Sequence, residues 1–337
     1  MIERASLDAL PAGLSAAVDV AAYGLERSLG GRRAEPSRTF LIGTRDGVRI
    51  EADAFLPADH PPVAKLLVAP AMGVKRQYYA AFAEDMAAHG IVTMLFDYRG
   101  VGGSLKGRVD RSEASLSQWG EQDMAAATRE LERLTADDAD PRYAKLPLLF
   151  VGHSVGGQLF GLMSDLPYRS ALLVGSQSGH WRHWDGKGRA VMAALWYLGI
   201  PALTRTLGYL PMRSFGQGED VPKGVAREWA TWGRDPSYVG VRIAQRPEAG
   251  FNHWAGKLRS IAIADDEYAP PRAVEALAEL YRAADRELVT LHPSNVGAKA
   301  LGHFGWFKRH YRTTLWADAR RWLLASAGVS PSGSGPD

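Results

Sequence analysis

The stretch that most constrains this chain is Leu146 to Gly157, which reads LPLLFVGHSVGG. Its apolar part, Leu148 to Val151, has the length and branching of a buried parallel strand. Gly152-His153-Ser154-Val155-Gly156 follows at once, with Gly157 behind it. A Gly-x-Ser-x-Gly directly after such a strand predicts a strained strand-to-helix elbow that lifts a serine hydroxyl above the sheet edge. The glycines have a physical task there, because only residues without a Cβ let strand and helix pass so closely. Gln158 to Met163 is expected to continue as a helix whose N-terminus faces the serine and favours negative charge. The motif is short and recurs by chance. The rest of the chain must therefore supply a base, an acid and donors for a developing oxyanion.

Around this stretch the pattern alternates between strands and helices. Phe40 to Gly43 and Val48 to Phe55 flank Asp46-Gly47, a hairpin signal. Lys65 to Ala69 is a short apolar strand that ends in Pro70-Ala71-Met72-Gly73-Val74. A helix is expected over Tyr78 to His89, with Gly90 at its end. The strand Ile91 to Phe96 runs into Asp97-Tyr98-Arg99-Gly100-Val101-Gly102-Gly103-Ser104, and Trp119 to Leu134 reads as a long amphipathic helix. After the elbow come the strand Ala171 to Gly175, the strand Leu258 to Ala264, a helix Arg272 to Ala284, the strand Glu287 to Leu291 and a closing helix Tyr311 to Ala325. This order predicts an α/β fold, a mostly parallel twisted sheet with helices on both faces.

The alternation breaks over 177–257, which holds Trp181, Trp184, Trp196, Trp229, Trp232 and Trp254 among proline and glycine breakers. The expected organisation is an α/β core over 39–176 and 258–326, interrupted by an aromatic-rich cap over 177–257. An N-terminal helical extension over 1–38 precedes it, with Leu14 to Leu29 amphipathic. That face is suited to dock on the main domain or to carry a homodimer contact. A disordered tail is expected over 327–337.

Composition removes several function classes. Among 337 residues there is no cysteine, which excludes disulfides, thiolate zinc sites and a cysteine nucleophile. The formal charge of +3 comes from interleaved acids and bases, with no basic stripe for nucleic acid. No run is long enough to span a membrane, and the N-terminus lacks the pattern of a signal peptide, so a cytoplasmic location is expected.

A serine needs a base to take its proton and an acid to orient that base. In sheets carrying this elbow the chain order is serine, acid, histidine. The strand ending at Ala264 opens into Asp265-Asp266-Glu267-Tyr268-Ala269-Pro270, where Asp266 is the expected acid, Asp265 stands close behind and Glu267 is third. The blander role for these carboxylates is to cap the next helix. Of His292, His303 and His310, the glycine-flanked His303 is the expected base, while the other two read as structural or solvated. His153 is expected to pack beneath the elbow. The oxyanion donors are expected to be the N–H groups of Val155 and Met72, with Ala71 as neighbour and Pro70 unable to donate.

With these residues in view, the chain resembles the α/β-hydrolase superfamily, in particular its lysophospholipase-like, serine aminopeptidase S33-type serine hydrolases. The residues that carry the likeness are the Gly152–Gly157 elbow, Asp97-x-Arg99-Gly100-x-Gly102-x-Ser104, Asp266 ahead of Pro270, and Gly302-His303. The resemblance covers about Thr39 to Ala325. It implies that the Asp97–Ser104 turn braces the oxyanion loop. One departure is Pro70-Ala71 where many relatives have His-Gly.

The expected chemistry is cleavage of an ester or related acyl bond of a small, hydrophobic substrate through an acyl-enzyme on Ser154, without cofactor or metal. The same residues would also serve an acyltransferase, and the fold without catalysis would serve a binding module. Trp181, Trp184 and Trp306 are expected to contact substrate. Aromatics also dominate core burial, so each is equally suited to holding the cap together or anchoring the closing helix. His180 and His183 form too small a set for a metal.

Overall fold

The apolar runs become a sheet whose central strands have no exposed side. The computed structural model describes residues 34–59, 61–134 and 143–329. The Leu14–Leu29 helix and the 330–337 part of the tail lie outside the described residues. The strands are β1 (Arg38–Gly43), β2 (Arg49–Phe55), β3 (Ala64–Ala69), β4 (Ile91–Phe96), β5 (Leu148–His153), β6 (Tyr168–Val174), β7 (Tyr209–Leu210), β8 (Val221–Pro222), β9 (Lys257–Ile263) and β10 (Asp285–Leu291). Eight of them form one sheet in the order β1-β2-β4-β3-β5-β6-β9-β10. The β1–β2 and β2–β4 pairs are antiparallel, and every later pair is parallel. The small β7–β8 hairpin stands apart.

Alternation at period two, with a core on each face, explains why β3 and β5 are apolar but for Lys65 and the terminal His153. Leu67 and Phe150 enter one core with Trp119, Leu159 and Leu173. Leu66, Val68, Leu149 and Val151 enter the other, with Phe82, Trp306 and Trp316. Both faces are covered, so each strand residue is removed from water, worth about 1.5–3 kcal/mol for each large side chain.

Several helices differ from the sequence expectation: the one after the elbow is Val155–Phe160 rather than Gln158 to Met163, and the closing helix is regular only over Ala317–Ser326. The helical stretch expected from Trp119 begins at Leu116, because Ser115 and Gln118 form a reciprocal capping box. It then passes through a π-type turn, Trp119–Met124, before the regular helix Ala125–Arg133. The helix expected over Arg272 to Ala284 is shorter, Pro271–Ala278.

The segment between β6 and β9 is mostly helical, with Gly186–Ala194, Ile200–Thr206 and Lys223–Arg234 as its helices. Its tryptophans are largely structural. Trp196 is fully buried and its indole N–H donates to Gly179 C=O at 2.9 Å. Trp229 donates to the Tyr238 hydroxyl at 2.9 Å, and Tyr238 donates in turn to Gln158 Oε1 at 2.6 Å. Gln158 lies on the helix Val155–Phe160, so this aromatic chain ties the inter-strand segment to the helix that follows the elbow.

Candidate active site

The elbow forms where β5 ends. Ser154 has φ 52° and ψ −118°, a conformation that an L-residue enters only under constraint. Its glycines are required by close approach. A Cβ on Gly152 would stand 2.6 Å from the Gly157 nitrogen, and one on Gly156 would stand 2.3 Å from Ala69 O. The helix Val155–Phe160 starts immediately after the serine, so its first N–H groups point toward it.

The acid and base meet at one bond. His303 Nδ1 lies 2.6 Å from Asp266 Oδ2. Asp266 Oδ1 accepts from the N–H of Tyr268 at 2.8 Å and of Ala269 at 3.0 Å, which fixes the carboxylate. Asp265 is turned to another task. It accepts from Leu301 N–H at 2.9 Å and Gly302 N–H at 3.2 Å, holding the segment that carries the histidine. Glu267 takes part through its carbonyl, which accepts from the Trp184 indole at 2.8 Å. His303 itself stands on a one-turn helix, Gly302–Gly305, where the sequence suggested a loop. Ser154 and His303 are each 8% exposed and Asp266 is 4% exposed. Among the described residues no hydrogen bond joins Ser154 Oγ to the imidazole. His292 and His310 are exposed.

In the loop after β3 the N–H groups of Ala71 and Val74 are both taken, the latter by the Ala71 carbonyl at 3.1 Å. Ala71 N–H donates to the Tyr79 hydroxyl at 2.9 Å. The N–H groups of Met72 and Val155 meet no acceptor among the described residues. Tyr79, having accepted from Ala71, donates to His153 Nδ1 at 2.8 Å, so His153 carries its proton on Nε2. That N–H donates to the His303 carbonyl at 3.0 Å. Burial, together with the nearby His303 ring, holds the His153 pKa well below the usual histidine value, so the ring is neutral. Loop, elbow and base segment are thereby joined by one buried chain of hydrogen bonds.

The Asp97–Ser104 turn sits behind the same loop. Asp97 accepts from Arg76 N–H at 2.7 Å and Gly103 N–H at 2.9 Å, and its Oδ2 lies 2.5 Å from the Arg76 guanidinium. Arg76 opens the short helix that follows the loop, so the turn braces the loop from behind, as the resemblance implied.

Of the three tryptophans expected at substrate, Trp306 needs correcting. It is 1% exposed, with its ring against Phe82 at 5.7 Å and Phe307 at 4.7 Å, in the core beneath the closing helix. Its partners are core aromatics, and its carbonyl accepts from the Trp316 indole at 3.0 Å, so it anchors the closing helix. Trp184 is 7% exposed and bonded to the acid loop, while Trp181 is half-buried with the Arg182 guanidinium 5.0 Å from its ring centre.

Sequence reasoning missed two residues at the site. Gly175, just past β6, has φ +56°, and a Cβ there would stand 3.2 Å from Asp266 Oδ2 and from His303 Nδ1. A glycine ending an apolar strand was the available signal. Tyr79 was hidden inside an ordinary helical pattern. A groove of about 610 Å³ lined by Tyr168, Trp254 and Lys257 opens at the starts of β6 and β9, whereas Ser154 and Asp266 follow the ends of β5 and β9.

Residues 60–201 match the family described as serine aminopeptidase, S33. No curated protein sequence matches the chain. An α/β hydrolase from Penicillium sp. sh18 superposes with a TM-score of 0.56 at 14% identity, covering 87% of this chain and 100% of its own. An esterase domain of a Rhodothermus marinus protein gives 0.51 at 19% identity, covering 84% and 98%. A thermophilic esterase from Thermogutta terrifontis gives 0.50 at 16% identity, covering 86% and 100%. At these identities the likeness is one of fold.

Proposed function

We propose, from the premise that this chain is an α/β hydrolase of carboxylic ester hydrolase-like type with a serine aminopeptidase S33-type core, that it cleaves an ester or related acyl bond of a small substrate through an acyl-enzyme on Ser154. The observation that carries the reading is the 2.6 Å Asp266–His303 pair, whose histidine carbonyl is bonded to His153, the residue just before a serine held at positive φ. His303 takes the Ser154 proton as the hydroxyl attacks the carbonyl, then returns it to the leaving group. Asp266 keeps the imidazole proton on Nδ1, leaving Nε2 to act, and stabilises the imidazolium that forms. The tetrahedral oxyanion is received by the N–H groups of Val155 and Met72. Ala71 is unavailable for that role, since its N–H is held by Tyr79. Water then attacks the acyl-enzyme with His303 again as base, and releases the acid. The segment over 177–257 acts as the cap.

The test is labelling by a fluorophosphonate probe of the wild type, Ser154→Ala and His303→Ala, followed by a p-nitrophenyl ester chain-length series. Labelling lost in both variants is the expected result. A folded wild-type protein that takes no label would refute the triad.

A further inference from the structure

Residues 211–220 form the loop of the β7–β8 hairpin, and the tip of that loop touches both sides of the serine site. On the side of the oxyanion donors, Glu219 N–H donates to Gly73 C=O at 2.7 Å. The approach is backbone to backbone. A Cβ on Gly73 would stand 2.7 Å from Glu219 O, and one on Gly218 would stand 2.6 Å from Gly73 O. Both glycines also have positive φ, +66° and +107°, so the contact is written into the sequence at two positions. Gly73 directly follows Met72. Lys75 Nζ, 3.1 Å from Glu219 Oε1, fastens the same side.

On the side of the acid and base, Gln217 Nε2 donates to the Tyr268 hydroxyl at 2.7 Å. Tyr268 follows Asp266 by two residues, and its ring stands 5.4 Å from the His303 ring. The Tyr268 carbonyl is pinned by Gln177 Nε2 at 3.0 Å, which leaves the Gln217 contact as the one that joins Tyr268 to the hairpin. Gln217 and Glu219 are two residues apart and span at most about 7 Å of chain. The tip therefore bridges the two loops that flank Ser154, and the serine and histidine beneath it are nearly closed to solvent.

We infer that this hairpin tip is a specificity-determining roof, with the Gln217–Tyr268 hydrogen bond as the latch that limits the length of the acyl group the serine accepts. The inference rests on the serine-hydrolase reading. A short acyl group fits beneath the closed roof, whereas a long one has to part the latch to pass between the oxyanion loop and the acid loop. Other anchors of the tip are backbone bonds and the Lys75–Glu219 pair on the far side, so parting Gln217 from Tyr268 opens the mouth without freeing the hairpin.

The experiment compares kcat/KM for p-nitrophenyl decanoate and p-nitrophenyl acetate in the wild type, Gln217→Ala and Tyr268→Phe, each first shown to be folded by circular dichroism. Tyr268→Phe removes only the hydroxyl and keeps the ring against His303. The decanoate-to-acetate ratio is expected to rise about fivefold or more in both variants, the worth of one hydrogen bond across the mouth, chiefly through a lower KM for decanoate. A ratio unchanged in both variants, or both esters altered in parallel, overturns the roof. Fluorophosphonate labelling separates the two readings: labelled wild type with an unchanged ratio sinks the roof alone, and unlabelled folded wild type sinks both.

Discussion

At the scale of single residues, the two adjacent aspartates make a direct contrast. Asp266 touches the imidazole and Asp265 holds the backbone that carries it. Asp266→Asn can no longer hold the proton on Nδ1, and kcat should fall by about 10⁴-fold. Asp265→Asn weakens two hydrogen bonds to backbone N–H groups, and about tenfold is expected. Equal losses would mean that the roles are shared. Gly175→Ala probes the floor beneath the pair. Alanine at φ +56° is strained by about 1–2 kcal/mol, and its Cβ presses on both partners at 3.2 Å. The expected result is a folded protein whose kcat falls at least tenfold with KM little changed. Full activity in that variant would show that the pair tolerates displacement.

At the scale of elements, Tyr79 joins three segments that are far apart in sequence: the loop after β3, the elbow, and the turn that carries His303. Tyr79→Phe leaves the Ala71 N–H and His153 Nδ1 unpaired in a buried place, which costs about 1–3 kcal/mol of stability. Because the chain ends on the His303 carbonyl, kcat should drop alongside the melting temperature. A change in stability alone would make the tyrosine a packing residue. The elements themselves were largely legible in the sequence. β4 coincides with its apolar run, and β3, β5 and β9 differ by a few residues, because fully buried parallel strands advertise themselves as continuous apolar stretches. The elbow and the Asp265–Pro270 loop could be picked out because each follows directly on a strand, and His303 because glycine precedes it in the stretch after the last strand. What could not be read was what depends on meeting in space. Nothing in Arg76-Gln77-Tyr78-Tyr79 marks the second tyrosine as a link to His153. The β7–β8 hairpin is only two residues per strand, too short for period-two alternation. Trp306 looked like a pocket residue because it is close to His303 in sequence, but its ring packs with Phe82 and Phe307, which the sequence does not bring near it.

At the scale of the whole molecule, buried imidazoles tie stability to pH. Burial lowers the pKa of His153, His180 and His183 below the ordinary histidine value of 6.5, with His303 adding to it for His153, Arg182 for His180, and His180 and Arg272 for His183. For His180 the nearby Gly233 and Asp235 favour the proton, but burial outweighs them. The unfolded chain takes up these protons near pH 6.5 while the folded chain does not. A depressed folded-state pKa therefore contributes stability that is present above about 6.5 and is lost as pH falls below it. Four carboxylates, Asp85, Asp97, Asp123 and Glu132, work the other way, each raised by burial. Burial raises Asp123 from 3.8 to about 6, against the hydrogen bonds it accepts from Arg99. Its contribution is present below pH 3.8 and lost as pH rises through about 6. Between about pH 7.5 and pH 5.5 the three imidazoles face Asp123, the carboxyl raised to about 6, so the histidines should govern the sign. The melting temperature is expected to fall when the solution is taken from about pH 7.5 to about pH 5.5, and to fall less steeply in His183→Gln, which loses one of the three proton sites. A melting temperature that is flat or rises toward pH 5.5 would mean that the buried carboxyls outweigh the rings. An unaltered slope in His183→Gln would leave the effect to His153 and His180, the two rings most fully enclosed by the fold.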